Sequence, residues 1–262
     1  MRKPNIVLVV CDDIGFGEIG PYLGRGIPDW DVYGGERVHT PGLEAIAAGG
    51  ALFTRYYATS SICTPSRYSI LTGRLACRSP SIAEAFPPPG PATITWNTRV
   101  DRGEDSLPKV MKRMGYATGF FGKWHTGAPK SEISPDDDSD PRDPEFAARV
   151  RADWQRRVDY LRDGFGFDTV DRVYFGNREG LPERLQVHNL EWIVEGALDF
   201  LDRHAADPFF LYVALSTPHG DQLSKFDEVD PLLTPAGVLE KRPEVMPPRG
   251  GLRERVRAAG AS

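Results

Sequence analysis

Seven side chains stand out because their types, and the short segments that carry them, could perform chemistry on a charged substrate. Asp12 and Asp13 follow the apolar run Ile6 to Val10. Cys63 and Arg67 sit in the segment Cys63-Thr64-Pro65-Ser66-Arg67, and Lys123 and His125 in Gly122-Lys123-Trp124-His125. His219 closes Ser216-Thr217-Pro218-His219. Paired carboxylates offer hard oxygens to a Ca²⁺- or Mg²⁺-like ion, while lysine, arginine and histidine hold an anion or move a proton.

Each group also has a plain structural reading. An Asp pair after a strand can be a turn and a cap, and a loop histidine can be a surface residue. Asp136-Asp137-Asp138 lies in a stretch rich in Pro, Asp and Ser and reads as solvated charge. His39, His188 and His204 have no companions and are assigned structural or surface roles.

The cysteine segment differs in kind. Thr64 and Pro65 form an N-cap and N1 pair, which predicts that Cys63 lies just outside a helix N-terminus, where backbone N–H groups favour negative charge. Arg67 in the first turn can hold an anion or a side chain near it. A buried structural cysteine, or a thiol nucleophile with a lowered pKa, fits the same placement.

The elements that must position these groups are legible as alternation. Asn5 to Val10 is a continuous β-branched run, expected to be a strand covered on both faces. Thr40-Pro41 opens a helical stretch with Leu43, Ile46 and Ala47, ending at Gly49-Gly50. Another helix is predicted from Thr64-Pro65 to Gly73, and a short one from Ser106 to Met114, followed by a strand over Tyr116 to Phe121. Residues 128–144 read as a surface loop. Asn189 to His204 shows helical spacing through Leu190, Ile193, Val194, Ala197, Leu198 and Leu201, and Pro208 to Leu215 reads as a second buried strand. The fold class is therefore α/β, a largely parallel sheet flanked by helices. Ligands of such sheets bind outside the carboxyl ends of the strands, where these polar residues fall. Beyond Lys225 the pattern weakens, with only a short helix expected over Leu252 to Ala259.

Composition sets the bounds. The 262 residues suit one large domain or two small ones. With 40% hydrophobic and 26% charged residues the chain is ordinary globular sequence rather than disordered. A net charge of −5 argues against bulk binding to nucleic acid, while leaving room for a local anion site. No apolar run approaches the ~20 residues of a transmembrane helix. Ile6 to Val10 is followed by Cys11-Asp12-Asp13 rather than a cleavage site, so no signal peptide is expected and the chain as given reads as cytoplasmic. Three cysteines, Cys11, Cys63 and Cys77, make no disulfide framework and no zinc spacing.

Taken together, Cys63-Thr64-Pro65-Ser66-Arg67 with Leu71-Thr72-Gly73-Arg74 resembles the signature of the type I sulfatases of the alkaline phosphatase superfamily. Asp12-Asp13-Ile14-Gly15-Phe16-Gly17, Gly122-Lys123-Trp124-His125 and Thr217-Pro218-His219 resemble the family's other motifs, in the family's order, from about Asn5 to Gly220. The resemblance implies a sulfuric ester hydrolase of arylsulfatase type, acting on a sulfated carbohydrate or aryl sulfate. It implies that a formylglycine-generating maturation enzyme oxidises Cys63 to Cα-formylglycine, used as its hydrate, and that a Ca²⁺ ion (Mg²⁺ as an option) is held by Asp12, Asp13 and the modified Cys63. Arg67 and Lys123 would stabilise the charged hydrate. His125 would take the proton that triggers sulfate release, and His219 would bind sulfate or protonate the leaving alcohol. Related sulfatases are often periplasmic, secreted or lysosomal.

The chain departs from the pattern in lacking the later Asp-Asn or Asp-His calcium ligands, and Gly220-Asp221 follows His219 where many members soon have a proline. Residues 1–262 are therefore read as an N-terminal catalytic portion, with the C-terminal subdomain absent, expected by itself to be inactive or very weak. The alternatives are a phosphodiesterase or phosphonate monoester hydrolase of the same superfamily, and a non-catalytic remnant that binds sulfated glycans. Variable loops over 128–160 and 220–262 are the expected seat of specificity.

Overall fold

The computed structural model describes residues 3–15, 18–22, 40–219 and 230–245. The stretch Leu252 to Ala259 lies outside them. The chain divides into two units, one of Met1–Asp12, Thr59–Thr217 and Asp230–Met246, the other of Asp13–Ala58, Pro218–Val229 and Pro247–Ser262.

In the larger unit, strands β1 (Ile6–Asp12), β2 (Ala117–Lys123), β3 (Thr169–Tyr174) and β4 (Phe209–Pro218) form a sheet in the order β1-β4-β2-β3. β2 pairs in parallel with both β3 and β4. The α/β expectation is met because β2 and β4 are apolar on both sides of their pleat. Phe120 packs on Phe167 and Tyr212, while Phe121 meets Phe200 across the other face. That contact requires a glycine beside it: a Cβ on Gly119 would stand 2.7 Å from the Phe200 ring.

β1 departs from expectation. Ile6, Leu8 and Val10 pack on the core, but Val7 and Val9 are 49% and 52% exposed. The β-branched run reads as buried on both faces, yet β1 ends the sheet order, and among the described residues nothing covers its second face.

The helices of this unit are α2 (Cys63–Thr72), α3 (Pro80–Ala85), α4 (Leu107–Arg113), α5 (Pro144–Phe165) and α6 (Leu190–Arg203); α1 (Pro41–Gly49) belongs to the smaller unit. Among the described residues, no helix is long and apolar enough to cross a membrane. α1 starts with Pro41 at N1 as expected, but Thr40 does not cap it. Its hydroxyl accepts from the Gly20 N–H at 2.8 Å instead, and Ile46 is exposed.

α2 begins two residues earlier than the Thr-Pro pair implied. Ile62 is the N-cap and Cys63 the first helical residue, and Gly73 ends the helix in the left-handed conformation at φ 68°.

α6 is capped by Asn189, whose side chain accepts from the Trp192 N–H at 3.1 Å and donates to the carbonyls of Pro231 and Leu233. Its buried face runs through Trp192, Ile193, Gly196, Ala197 and Phe200. Leu198, expected on that face, is exposed, because the face is set by what Phe121 and Gly119 accept rather than by leucine spacing.

Three elements of this unit escape the sequence pattern, the short α3 and, with more consequence, α5 and β3. Asp143 caps α5 through the Phe146 N–H, and Phe146, Val150, Trp154, Val158 and Leu161 form its buried stripe. Residues 128–143 do form a loop, and it sends Ile133 into a small core with Phe146, Val150 and Leu185.

Candidate active site

Five of the seven predicted residues belong to the larger unit and meet where β1, β2 and α2 end or begin. Asp12 is the last residue of β1, Lys123 the last of β2, and Cys63 the first of α2. Arg67, 2% exposed, donates through Nη1 to the Lys123 carbonyl at 2.6 Å and through Nη2 to Asp12 Oδ1 at 3.0 Å. Lys123, 1% exposed, pairs its ammonium with Asp12 Oδ2 and donates to Asn177 Oδ1 at 2.6 Å. Asp12 thus takes one cation on each oxygen.

Burial pushes the Asp12 carboxyl up, but Arg67 and Lys123 outweigh it and hold the group below the usual carboxylate range. Burial pulls Arg67 down, and Tyr212, Asp12 and Cys63 more than restore it, so the guanidinium stays charged. Two buried cations facing one carboxylate leave an excess of positive charge beside the start of α2. The first-turn N–H groups of that helix add to it.

Cys63 completes the cluster. Its Sγ is 3.2 Å from Nδ1 of His125. His125 is held in the left-handed region at φ 52°, with its N–H donated to the Phe175 carbonyl at 3.2 Å. The preceding chain explains how it arrives there. Gly122 has φ 101°, and a Cβ on it would stand 1.9 Å from the Ala214 carbonyl oxygen, so only glycine lets β2 lie against β4 at this point. The register of β2 against β3 shifts between Phe121 and Gly122. Trp124 then buries itself against Phe120 and Phe165, with its Nε1 donating to the Gly127 carbonyl at 2.6 Å. The Gly-Lys-Trp-His segment is thereby a lever: glycine permits the approach, tryptophan anchors, and lysine and histidine are presented.

Asp13 and His219 belong to the smaller unit, where Asp13 has φ 60° and its carboxylate pairs with Nδ1 of His219.

A sulfatase family model matches residues 4–237. The chain belongs to the sulfatase family. It is 32% identical over 243 residues to human N-acetylgalactosamine-6-sulfatase, covering 83% of this chain and 40% of that protein. It is 38% identical over 126 residues to human arylsulfatase A, covering 48% and 22%, and 31% identical over 233 residues to the arylsulfatase of Hemicentrotus pulcherrimus, covering 86% and 39%. This sulfatase chain therefore spans about two fifths of the relatives that it matches along most of its length. Two solved Bacteroides thetaiotaomicron structures, described in connection with metabolism of multiple glycosaminoglycans, share the fold. Their TM-scores are 0.53 and 0.51, at 19% and 21% identity, covering 86% and 84% of this chain and 47% and 52% of theirs.

Among the described residues, no group of three or more His, Cys, Asp or Glu side chains converges to hold a metal ion. Calcium takes ~6–8 oxygens. Asp12, already committed to Arg67 and Lys123, does not fit that requirement as it stands.

Cys11, whose thiol burial pushes up, and the exposed Cys77 take no part in the described cluster. Asn177 is the residue that sequence reasoning missed. It sits three residues after β3, an element that was itself unread, and a lone asparagine in a loop carries no spacing signal.

Proposed function

We propose that the protein carrying this chain hydrolyses sulfate esters at the Cys63 centre, converting an ester and water to an alcohol and sulfate. The observation that carries the reading is the 3.2 Å contact of Cys63 with His125 beside the buried Arg67, Asp12 and Lys123 cluster. Family membership supports it, as do the relatives named for arylsulfate and N-acetylgalactosamine-6-sulfate cleavage. The substrate is accordingly a sulfated sugar or an aryl sulfate.

Oxidation of Cys63 to formylglycine by a maturation enzyme would supply an aldehyde hydrate with two hydroxyls, one to attack sulfur and one to expel sulfate. The surrounding residues suit an oxygen at that position. His125 Nδ1 is within hydrogen-bond reach of the side-chain tip and takes up a proton there. The α2 N-terminus and the Arg67 guanidinium favour negative charge on the group at position 63 and on the sulfuryl oxygens. Lys123 adds a second positive charge, steered by Asp12 and Asn177 so that its ammonium cannot swing away. His219, paired with Asp13, is the candidate donor of a proton to the leaving alcohol. Charge stabilisation in this scheme comes from Arg67 and Lys123.

The test is a peptide mass map of the whole protein purified from its native host, together with its turnover of 4-nitrophenyl sulfate. An aldehyde in place of the thiol at position 63, with measurable turnover, is the expected result. An intact thiol and no turnover would overturn the reading. Hydrolysis of phenylphosphonate esters in preference to sulfates would move the activity to the phosphonate monoester class.

A further inference from the structure

In the same unit as the Cys63 centre lies a cavity of about 190 Å³, lined in part by residues that hold the site in place. One wall is Asn177, the residue that holds Lys123, and another is Gly176, whose missing Cβ would lie 3.6 Å from Cδ2 of His125. The cavity is therefore separated from Lys123 and His125 only by these two lining residues. Phe175 and Leu181 give it apolar walls, and its volume is below the ~300–1,000 Å³ of sites for larger ligands, which suits a single ring.

The remaining wall is Arg157, from α5. Its guanidinium stacks on Phe175 at 3.9 Å and its Nε donates to the Pro129 carbonyl at 3.1 Å. The nearest carboxylate, Asp153, is 3.7 Å from Nη1, too far for a hydrogen bond, and is already satisfied. Its oxygens accept from Arg156, the Ser131 hydroxyl and the Glu132 N–H at 2.6, 2.9 and 3.1 Å. Among the described residues, neither Nη of Arg157 makes a hydrogen bond, and no carboxylate lines the cavity. Burial pulls Arg157 down to about 10, which leaves it charged at neutral pH. A fixed, flat cation with unspent donors thus faces a ring-sized space beside the reacting group.

We propose that this cavity receives the alcohol part of the ester, and that Arg157 selects alcohols bearing a second anionic group, a carboxylate or a further sulfate. The inference rests on reading Cys63 as the sulfate-cleaving centre. It makes Arg157 a specificity-determining residue, supplied by a helix rather than by the loop expected there.

The experiment compares phenyl sulfate, 4-sulfooxybenzoate and hydroquinone disulfate as ligands of the whole protein. Affinity is measured by calorimetry on the Cys63→Ala form, which needs no turnover, and KM and kcat on the unaltered protein. The two anionic esters should bind about 10- to 100-fold more tightly than phenyl sulfate, the range of one charge-assisted hydrogen bond pair. A gain with only one of them identifies which anion the cavity takes. Arg157→Gln should erase the gain, so that the two anionic esters bind no more tightly than phenyl sulfate. Because Arg157 also packs on Phe175, a second variant is needed. A Cβ on Gly180, at the cavity wall, meets nothing within 4 Å, so Gly180→Asp should cancel the preference by repulsion with the arginine intact.

Equal binding of all three esters, or equal weakening of all three by both variants, would overturn the proposal. Preferential binding without turnover of any ester would instead overturn the catalytic reading and leave an anion-selective pocket.

Discussion

The thiol of Cys63 and the imidazole of His125 are 62 positions apart in the chain and 3.2 Å apart in space. Neither residue is free to drift. Cys63 is fixed by the first turn of α2, and His125 by a left-handed backbone that Gly122 and Trp124 set up. The contact is what a base and the group it serves require.

Replacing His125 by Asn tests that contact with little backbone disturbance, because Asn tolerates the left-handed region better than most residues. His125→Asn in the whole protein should lower kcat for 4-nitrophenyl sulfate by about 100- to 10,000-fold, the usual value of a positioned base. Its thermal unfolding should change little. A variant with unchanged kcat would remove His125 from the chemistry.

Asp12→Asn should be costly to stability. It leaves Arg67 and Lys123 buried without the one carboxylate they share, a loss of about 3–5 kcal/mol in denaturant unfolding. The native protein should show the same dependence on pH. The Asp12 pKa is depressed by folding, so its contribution is present above the ordinary carboxylate value near ~3.9 and is lost as pH falls through the lower folded value. Unfolding measured between pH 6 and 2 (approximate limits set by those values) should show an acid-sensitive step that the variant lacks.

At the alkaline end, Tyr68 behaves in the opposite sense. Burial, with its 2.6 Å hydrogen bond to Glu104, pushes it up to about 12. The unfolded chain loses this proton near pH ~10, so the stability that Tyr68 adds is complete below that and drains away as pH rises toward 12. Tyr68→Phe should cost about 1–2 kcal/mol at neutral pH and flatten the alkaline slope.

Gly122→Ala should damage the sheet itself. Its Cβ would enter the Ala214 carbonyl at 1.9 Å, backbone against backbone, at a φ of 101° that alanine resists. We expect a loss of at least about 2 kcal/mol, with hydrogen exchange speeding up in β2 and β4. A variant as stable as the parent would mean that the β2 and β4 backbones do not approach this closely.

The sequence by itself determined what is local. The fold class followed from apolar runs alternating with capped helical stretches, and the start of α1, the end of α2 and the cap of α6 were each signalled by Pro41, Gly73 and Asn189 within a residue or two. It also singled out Cys63, Arg67, Lys123 and His125, because their neighbours Pro65, Gly122 and Trp124 have backbone or packing jobs that leave a compositional mark. Tertiary structure decided the rest. That Asp12 neutralises two cations, that Val7 and Val9 stay exposed, and that Phe200 rather than Leu198 faces the sheet all depend on which strands become neighbours. α5 was unread because its Arg-rich surface hides a narrow apolar stripe behind a loop of Pro and Asp. Asn177 reaches Lys123, and Arg157 comes to line the same cavity as Asn177, only once β3 and α5 are packed. Strand pairing and long-range burial are free energies of the whole chain, and no short window of residues contains them.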